Sequence, residues 1–217
     1  MRFIDKVVIV TGGANGIGLA IAKRLASEGA RLVLADINQA ALDAAVPQVQ
    51  QAGSPGVCNV ADETRVVATV QGALAQFGRL DVIVNNAGLM PFKPLGQLTG
   101  DDWNRILSVD LLGAFYFTKQ AFLHMKPGGN VVNVSSIHAV ETEALVALYA
   151  AAKAAVLSLT RSSAIEGKPK GLRINAVLPG AIDTPMLWNN PNVKSGVEKI
   201  NPSDERVSES TAALAAA

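Results

Sequence analysis

The stretch Lys6-Val7-Val8-Ile9-Val10-Thr11-Gly12-Gly13-Ala14-Asn15-Gly16-Ile17-Gly18 joins an apolar β-branched run to a glycine-rich turn and then to the start of a helical pattern. Val7 to Val10 are apolar at every position, as expected of a strand covered on both faces. Beyond the turn, Ile17, Ile21 and Leu25 recur at i, i+4 and i+8, which predicts an amphipathic helix over 17–27.

The same alternation continues along the chain. Strand-like runs lie at 6–10, 31–35, 56–60, 80–84, 130–134 and 172–177. Helix-like stretches lie between them at 17–27, 39–50, 63–77, 102–125 and 146–165. Strand–helix alternation of this kind predicts an α/β fold: a doubly wound parallel sheet with right-handed crossovers and helices on both faces. Pro47 falls inside the second helical stretch and is expected to end or kink it.

Composition narrows the possibilities further. The 217 residues are 49% hydrophobic and 17% charged, which excludes a disordered chain and makes a single domain the default. The formal net charge is +1, so no basic field marks the chain for nucleic acid or an anionic membrane. Cys58 is the single cysteine, and no Cys/His cluster has metal-ligand spacing, so neither an internal disulfide nor a metal is expected. The opening strand leaves no room for a removable leader. No uninterrupted apolar run reaches the ~18 residues of a membrane span, and the apolar stretch 145–159 is broken by Lys153. The expected location is therefore the cytoplasm.

Candidate chemistry begins at the turn. Gly12, Gly16 and Gly18 stand between strand and helix, where missing side chains let backbone approach a pyrophosphate and the helix N-terminus faces the anion. An ordinary glycine-rich βα turn has the same look. Asp36 closes the second strand and can bind both hydroxyls of an adenosine ribose. It would repel a 2′-phosphate, and Asn15, Ile37 and Asn38 supply no cation to offset this, so NAD(H) is favoured over NADP(H). The competing role for Asp36 is a helix cap. Tyr149 and Lys153 are an i, i+4 pair on one helix face, so the ammonium can favour a phenolate. Taken alone, such a pair is an ordinary surface feature. Ser136 follows the fifth strand, at the sheet end that faces the ligand crevice, where its hydroxyl can bind a carbonyl or alkoxide. His138 is either a pocket residue or a plain loop histidine. Glu141 and Glu143 read as solvated, although either could meet a polar substrate, and Cys58 reads as buried and inert.

The glycine turn, Asn85-Asn86-Ala87-Gly88, Ser136, Tyr149-x-x-x-Lys153 and Pro179-Gly180, in that order, resemble the classical short-chain dehydrogenase/reductase family from about Lys6 to Thr184. The resemblance implies a Rossmann-type fold and hydride transfer between a nicotinamide cofactor and a small-molecule alcohol or carbonyl. It implies Tyr149 as general acid/base, Lys153 as its electrostatic partner and ribose ligand, and Ser136 as the substrate-orienting hydroxyl. Cofactor contacts are implied at Gly12, Asn15, Gly16, Ile17, Gly18, Asp36, Asn59, Val60, Asn86, Tyr149, Lys153, Ile182 and Thr184. The chain has Asp110 where many members carry an Asn in a proton relay, so Asp110 joins the expected catalytic set with a charge that opposes the effect of Lys153. Residues 1–188 are read as the catalytic domain and 189–217 as a shortened, atypical tail, with the sixth strand left as an edge. In the family, the C-terminal helix and strand that this tail lacks usually help form the oligomer interface, so a homo-oligomer is an open expectation with its interface in doubt. Two alternatives stand beside the NAD(H)-dependent oxidoreductase: a non-catalytic NAD(H)-binding protein and an NADPH-dependent ketoacyl-type reductase.

Overall fold

A computed structural model describes residues 1–49 and 56–194. Six strands form one parallel sheet: β1 (Val7–Thr11), β2 (Arg31–Asp36), β3 (Gly56–Val57), β4 (Val82–Asn85), β5 (Asn130–Val134) and β6 (Arg173–Val177). Their order is β3-β2-β1-β4-β5-β6, so the winding reverses between β1 and β4. Val8 is registered with Leu32 on one side and Val82 on the other, which puts β1 at the centre of the sheet.

The apolar run of β1 serves two cores, as strand alternation requires. Val7 and Ile9 point to one face, where Val66, Val70, Phe117 and Ala121 are buried with them. Those residues come from α3 (Glu63–Phe77) and α5 (Gly113–His124), and Ala164 of α6 (Ala147–Gly167) packs on the same side. Val8 and Val10 point to the opposite face, against Ala22, Ala26, Leu42 and Ala45. These belong to α1 (Gly16–Ser27) and α2 (Gln39–Ala45). The innermost line of α1 is Gly18, Ala22 and Ala26, with Ile21 and Leu25 flanking it, so small residues let this helix lie close to the sheet.

Several expected elements differ in detail. The second helix ends at Ala45, and Pro47 sits in the 3₁₀ turn Val46–Gln48 that follows, as a residue without an N–H would require. Gln50, the expected helix end, lies outside the described residues. The third strand was expected over 56–60 but pairs with β2 only at Gly56 and Val57. It is an edge strand, and Asn59 turns it away: its carbonyl accepts from the Asp62 N–H and its side chain from the Ala61 N–H.

The long helix expected over 102–125 is three joined pieces. It consists of α4 (Gly100–Ile106), a π-helical segment Leu107–Leu112, and α5. Gly100–His124 is long and apolar enough to cross a membrane by length and composition, yet Phe117 and Ala121 of this helix are wholly buried in the core. Short helices α7 (Pro185–Trp188) and α8 (Pro191–Lys194) close the described chain, and the expected tail beyond Lys194 lies outside it.

Candidate functional site

The strand ends at the β1/β4 reversal open into a cleft of about 420 Å³. Open α/β sheets bind ligands at this position because neighbouring connections leave in opposite directions. Gly12, Asn15, Gly16, Ile17, Asp36 and Asn86 line one part of it. Ser136, Tyr149, Lys153, Ile182 and Thr184 line another. Residues from the first and last thirds of the chain thus meet in one cleft.

The turn is held from outside itself. The Asn86 side-chain amide donates to the carbonyls of Thr11 (3.0 Å) and Gly12 (3.3 Å). In return, Thr11 Oγ1 accepts from the backbone N–H groups of Asn86 (2.9 Å) and Ala87 (3.0 Å). Gly12 has φ +60, and a Cβ there would lie 2.9 Å from the Asn86 amide nitrogen. Gly18 is not on the cleft wall. It lies beneath, where a Cβ would collide with the Gly12 carbonyl and the Asn86 amide. The turn therefore presents bare backbone next to the N-terminus of α1, which Asn15 caps by accepting from the Gly16 N–H at 2.9 Å.

Asp36 is not a helix cap; Asn38 fills that role for α2 by accepting from the Ala41 N–H. Instead the Asp36 carboxylate accepts from the N–H of Ala14 (3.2 Å) in the turn and of Asn38 (3.1 Å). A carboxylate has about four lone-pair sites, so acceptor capacity remains for a diol. Among the described residues lining the cleft, Lys153 is the one lysine or arginine. The bare turn and the fixed acceptor fit a dinucleotide. Asn59 and Val60 stand apart from this wall: Asn59 is exposed in its own turn, and Val60 is buried against Gly113.

The catalytic candidates converge from β5 and α6. Ser136 follows β5, is buried, and its Oγ accepts from the His138 N–H at 3.2 Å. The Ile137 N–H donates to the Pro179 carbonyl at 3.0 Å, tying this loop to the Pro179-Gly180 loop. Tyr149 and Lys153 share a face of α6, with the ammonium nitrogen 5.5 Å from the centre of the phenol ring. Lys153 is buried. Its Nζ donates to the Val134 carbonyl at 3.1 Å and lies 3.2 Å from Asp110 Oδ2.

Asp110 sits in the π-helical segment with its side chain fully enclosed and faces Lys153 from below the cleft. Its other oxygen accepts from the Leu89 N–H at 2.8 Å. Oδ2 has no aligned hydrogen-bond donor, so its contact with Lys153 is an ion pair without good hydrogen-bond geometry. Burial pushes the Asp110 carboxyl above its ordinary range, against the opposing pull of the Lys153 charge and the Leu89 N–H. Gly88 makes room for the pair: a Cβ there would fall 2.8 Å from Asp110 Oδ2 and 3.1 Å from Lys153 Nζ.

Sequence reasoning did not assign roles to Thr11, Gly88 or the Val134 carbonyl. Gly88 closes the Asn85-Asn86-Ala87-Gly88 motif, which is a usable signal. Thr11 and Val134 carry none, because their contacts join segments far apart in the chain.

A parallel sheet with a glycine turn at its reversal point and an acidic residue ending the next strand defines a dinucleotide-binding α/β protein. The chain belongs to the short chain dehydrogenase family, whose sequence profile matches residues 6–194. It is 42% identical over 195 residues to cis-4-hydroxycyclohexanecarboxylate dehydrogenase of Sinomonas cyclohexanicum, covering 87% of this chain and 78% of that protein. Its fold matches the 3-ketoacyl-(acyl-carrier-protein) reductase of Brucella melitensis complexed with NADH, with a TM-score of 0.84, 28% identity, and coverage of 98% and 91% of the two chains. A short chain dehydrogenase of Burkholderia cenocepacia in complex with NADP matches with a TM-score of 0.82 and 33% identity, covering 90% of this chain and 82% of that one. Membership makes the chain an oxidoreductase of a nicotinamide-binding family.

Proposed function

We propose that the protein is an NAD(H)-dependent oxidoreductase that interconverts a small secondary alcohol and its ketone in the cytoplasm. The carrying observation is that Ser136, Tyr149, Lys153 and Asp36 line one cleft with the glycine turn. When bound, a nicotinamide ring supplies the hydride for reduction or accepts it in oxidation. Gly12, Asn15, Gly16, Ile17 and Asn86 would hold the diphosphate end, Asp36 the adenosine ribose, and Ile182 and Thr184 the carboxamide end.

The chain's own residues handle the proton. In reduction, the Tyr149 hydroxyl gives its proton to the carbonyl oxygen as that oxygen gains negative charge. In oxidation, the phenolate takes the alcohol proton back. Lys153 supplies the positive charge beside the phenol. Ser136 donates a hydrogen bond to the same oxygen and fixes its position. The Sinomonas relative's name, a dehydrogenase of a ring alcohol, supports a secondary alcohol as substrate.

The test is turnover of NADH with a panel of small ketones by the wild type and by Tyr149→Phe. General acid catalysis typically contributes 10²–10⁴-fold, so kcat is expected to fall by at least about a hundredfold in the variant while NADH still binds. Undiminished turnover in Tyr149→Phe refutes the mechanism. A preference for NADPH, the cofactor of the ketoacyl-type alternative, refutes the role given to Asp36.

A further inference from the structure

We propose that His138 is a specificity residue whose imidazole hydrogen-bonds a second oxygen on the substrate. The preferred substrates are then small carbonyl or alcohol compounds bearing two oxygen functions, such as diketones, hydroxyketones or diols. This rests on the Ser136–Tyr149–Lys153 reading above and assigns the substrate class for that same cleft.

The backbone of His138 is fixed. It lies in the 3₁₀ turn Ile137–Ala139 directly after Ser136, and its N–H donates to Ser136 Oγ at 3.2 Å. The bond from the Ile137 N–H to the Pro179 carbonyl anchors the turn on its other side. The half-buried ring stands edge-on to the Tyr149 ring, with centroids 5.9 Å apart and planes at 72°, and it lines the cleft. A substrate whose reacting oxygen meets Tyr149 and Ser136 therefore passes alongside this ring.

The polarity of the ring is unused. Nδ1 is buried without a hydrogen-bond partner, and neither ring nitrogen bonds any other described residue. A leucine or phenylalanine would supply the edge contact with Tyr149 without leaving a buried nitrogen unsatisfied, which is destabilising. An imidazole always offers a donor, together with either an acceptor or a second donor. A half-turn about the Cβ–Cγ bond exchanges the Nδ1 and Cδ2 positions, so a nitrogen can meet a bound oxygen without backbone movement. Met90, Ile137, Met186 and Leu187 make much of the neighbouring wall apolar. A pocket of this kind takes contact area from its apolar wall and specificity from a few polar groups.

The experiment compares kcat/KM for cyclohexane-1,4-dione and cyclohexanone, each with NADH and NADPH, in the wild type, His138→Gln and His138→Leu. The wild type is expected to favour the dione. That preference is expected to fall about tenfold in His138→Leu, equivalent to about 1.4 kcal/mol, and to be largely kept in His138→Gln, which retains a hydrogen-bonding side chain. An equal preference in all three proteins overturns the proposal. A wild type that reduces both ketones without preference also overturns it but leaves the oxidoreductase reading intact. A wild type that binds nicotinamide yet reduces neither ketone overturns both.

Discussion

Replacing Asp110 by Asn removes one buried charge and keeps an oxygen for the Leu89 N–H. The carboxylate lies 3.2 Å from the Lys153 ammonium, which is 5.5 Å from the centre of the Tyr149 ring. Together these distances put the carboxylate within about 9 Å of the ring. At an effective dielectric of about 20, a unit charge at that distance interacts with a phenolate by about 2 kcal/mol. A free energy of 1.36 kcal/mol is tenfold in an equilibrium constant, so an interaction of this size is large enough to be read in the pH dependence of the reaction. The sign is fixed by chemistry: a negative charge disfavours a second one nearby and offsets the lysine. We therefore predict that the limb of the kcat/KM profile reporting the proton-transfer step moves to lower pH in Asp110→Asn. The assay is NADH formation from a secondary alcohol across the pH range, with NADH affinity and a melting curve as checks on folding. Superimposable profiles from a folded, cofactor-binding variant would refute the reasoning, because they would mean that Asp110 carries no charge felt at the phenol.

Two further outcomes are expected. Asp36→Ala should move the ratio of kcat/KM for NADPH over NADH upward by at least tenfold, read from initial rates, since it removes the repulsion of a 2′-phosphate; it should also lower stability by about 1 kcal/mol through the part-buried Ala14 N–H it leaves, the exposed Asn38 N–H being open to water. Lys153→Met should leave Asp110 buried and uncompensated, costing about 3–5 kcal/mol in denaturant unfolding. That loss should shrink as the pH falls. Burial already raises the Asp110 carboxyl, and without the cation it rises further, so the folded state binds a proton more tightly than the unfolded chain and regains stability as pH drops through the folded value. A stability loss in Lys153→Met that stays constant with pH would show that Asp110 is not the cause.

What the sequence disclosed depended on the range of the interaction. The β1 run and the α1 stripe are local patterns, and their repetition along the chain disclosed a parallel sheet with helices packed on both its faces. Pro47 ended its helix because the missing N–H acts within one turn. The π-helical segment was not visible, since one added residue in a helical turn leaves the apolar pattern nearly intact; only the fold shows that Asp110 occupies it and faces Lys153. The early end of β3 was hidden for a similar reason. Cys58 and Val60 are as apolar as strand residues, but the turn made by Asn59 decides the pairing. Asp36, Tyr149 and Lys153 could be picked out one by one. Their meeting in a single cleft depends on crossovers that no local spacing encodes.

The Asn86 amide that grips the Thr11 and Gly12 carbonyls has a bearing on how the protein acquires its shape. The partners meet at the ends of the adjacent strands β4 and β1 but are separated by 75 and 74 positions in the chain. A peptide containing just the opening strand, turn and helix would own each glycine yet lack the clamp that sets them. The anion cradle is thus a product of long-range assembly, set only where β4 docks beside β1, and contacts of such wide sequence separation are the kind that slow the folding of a chain.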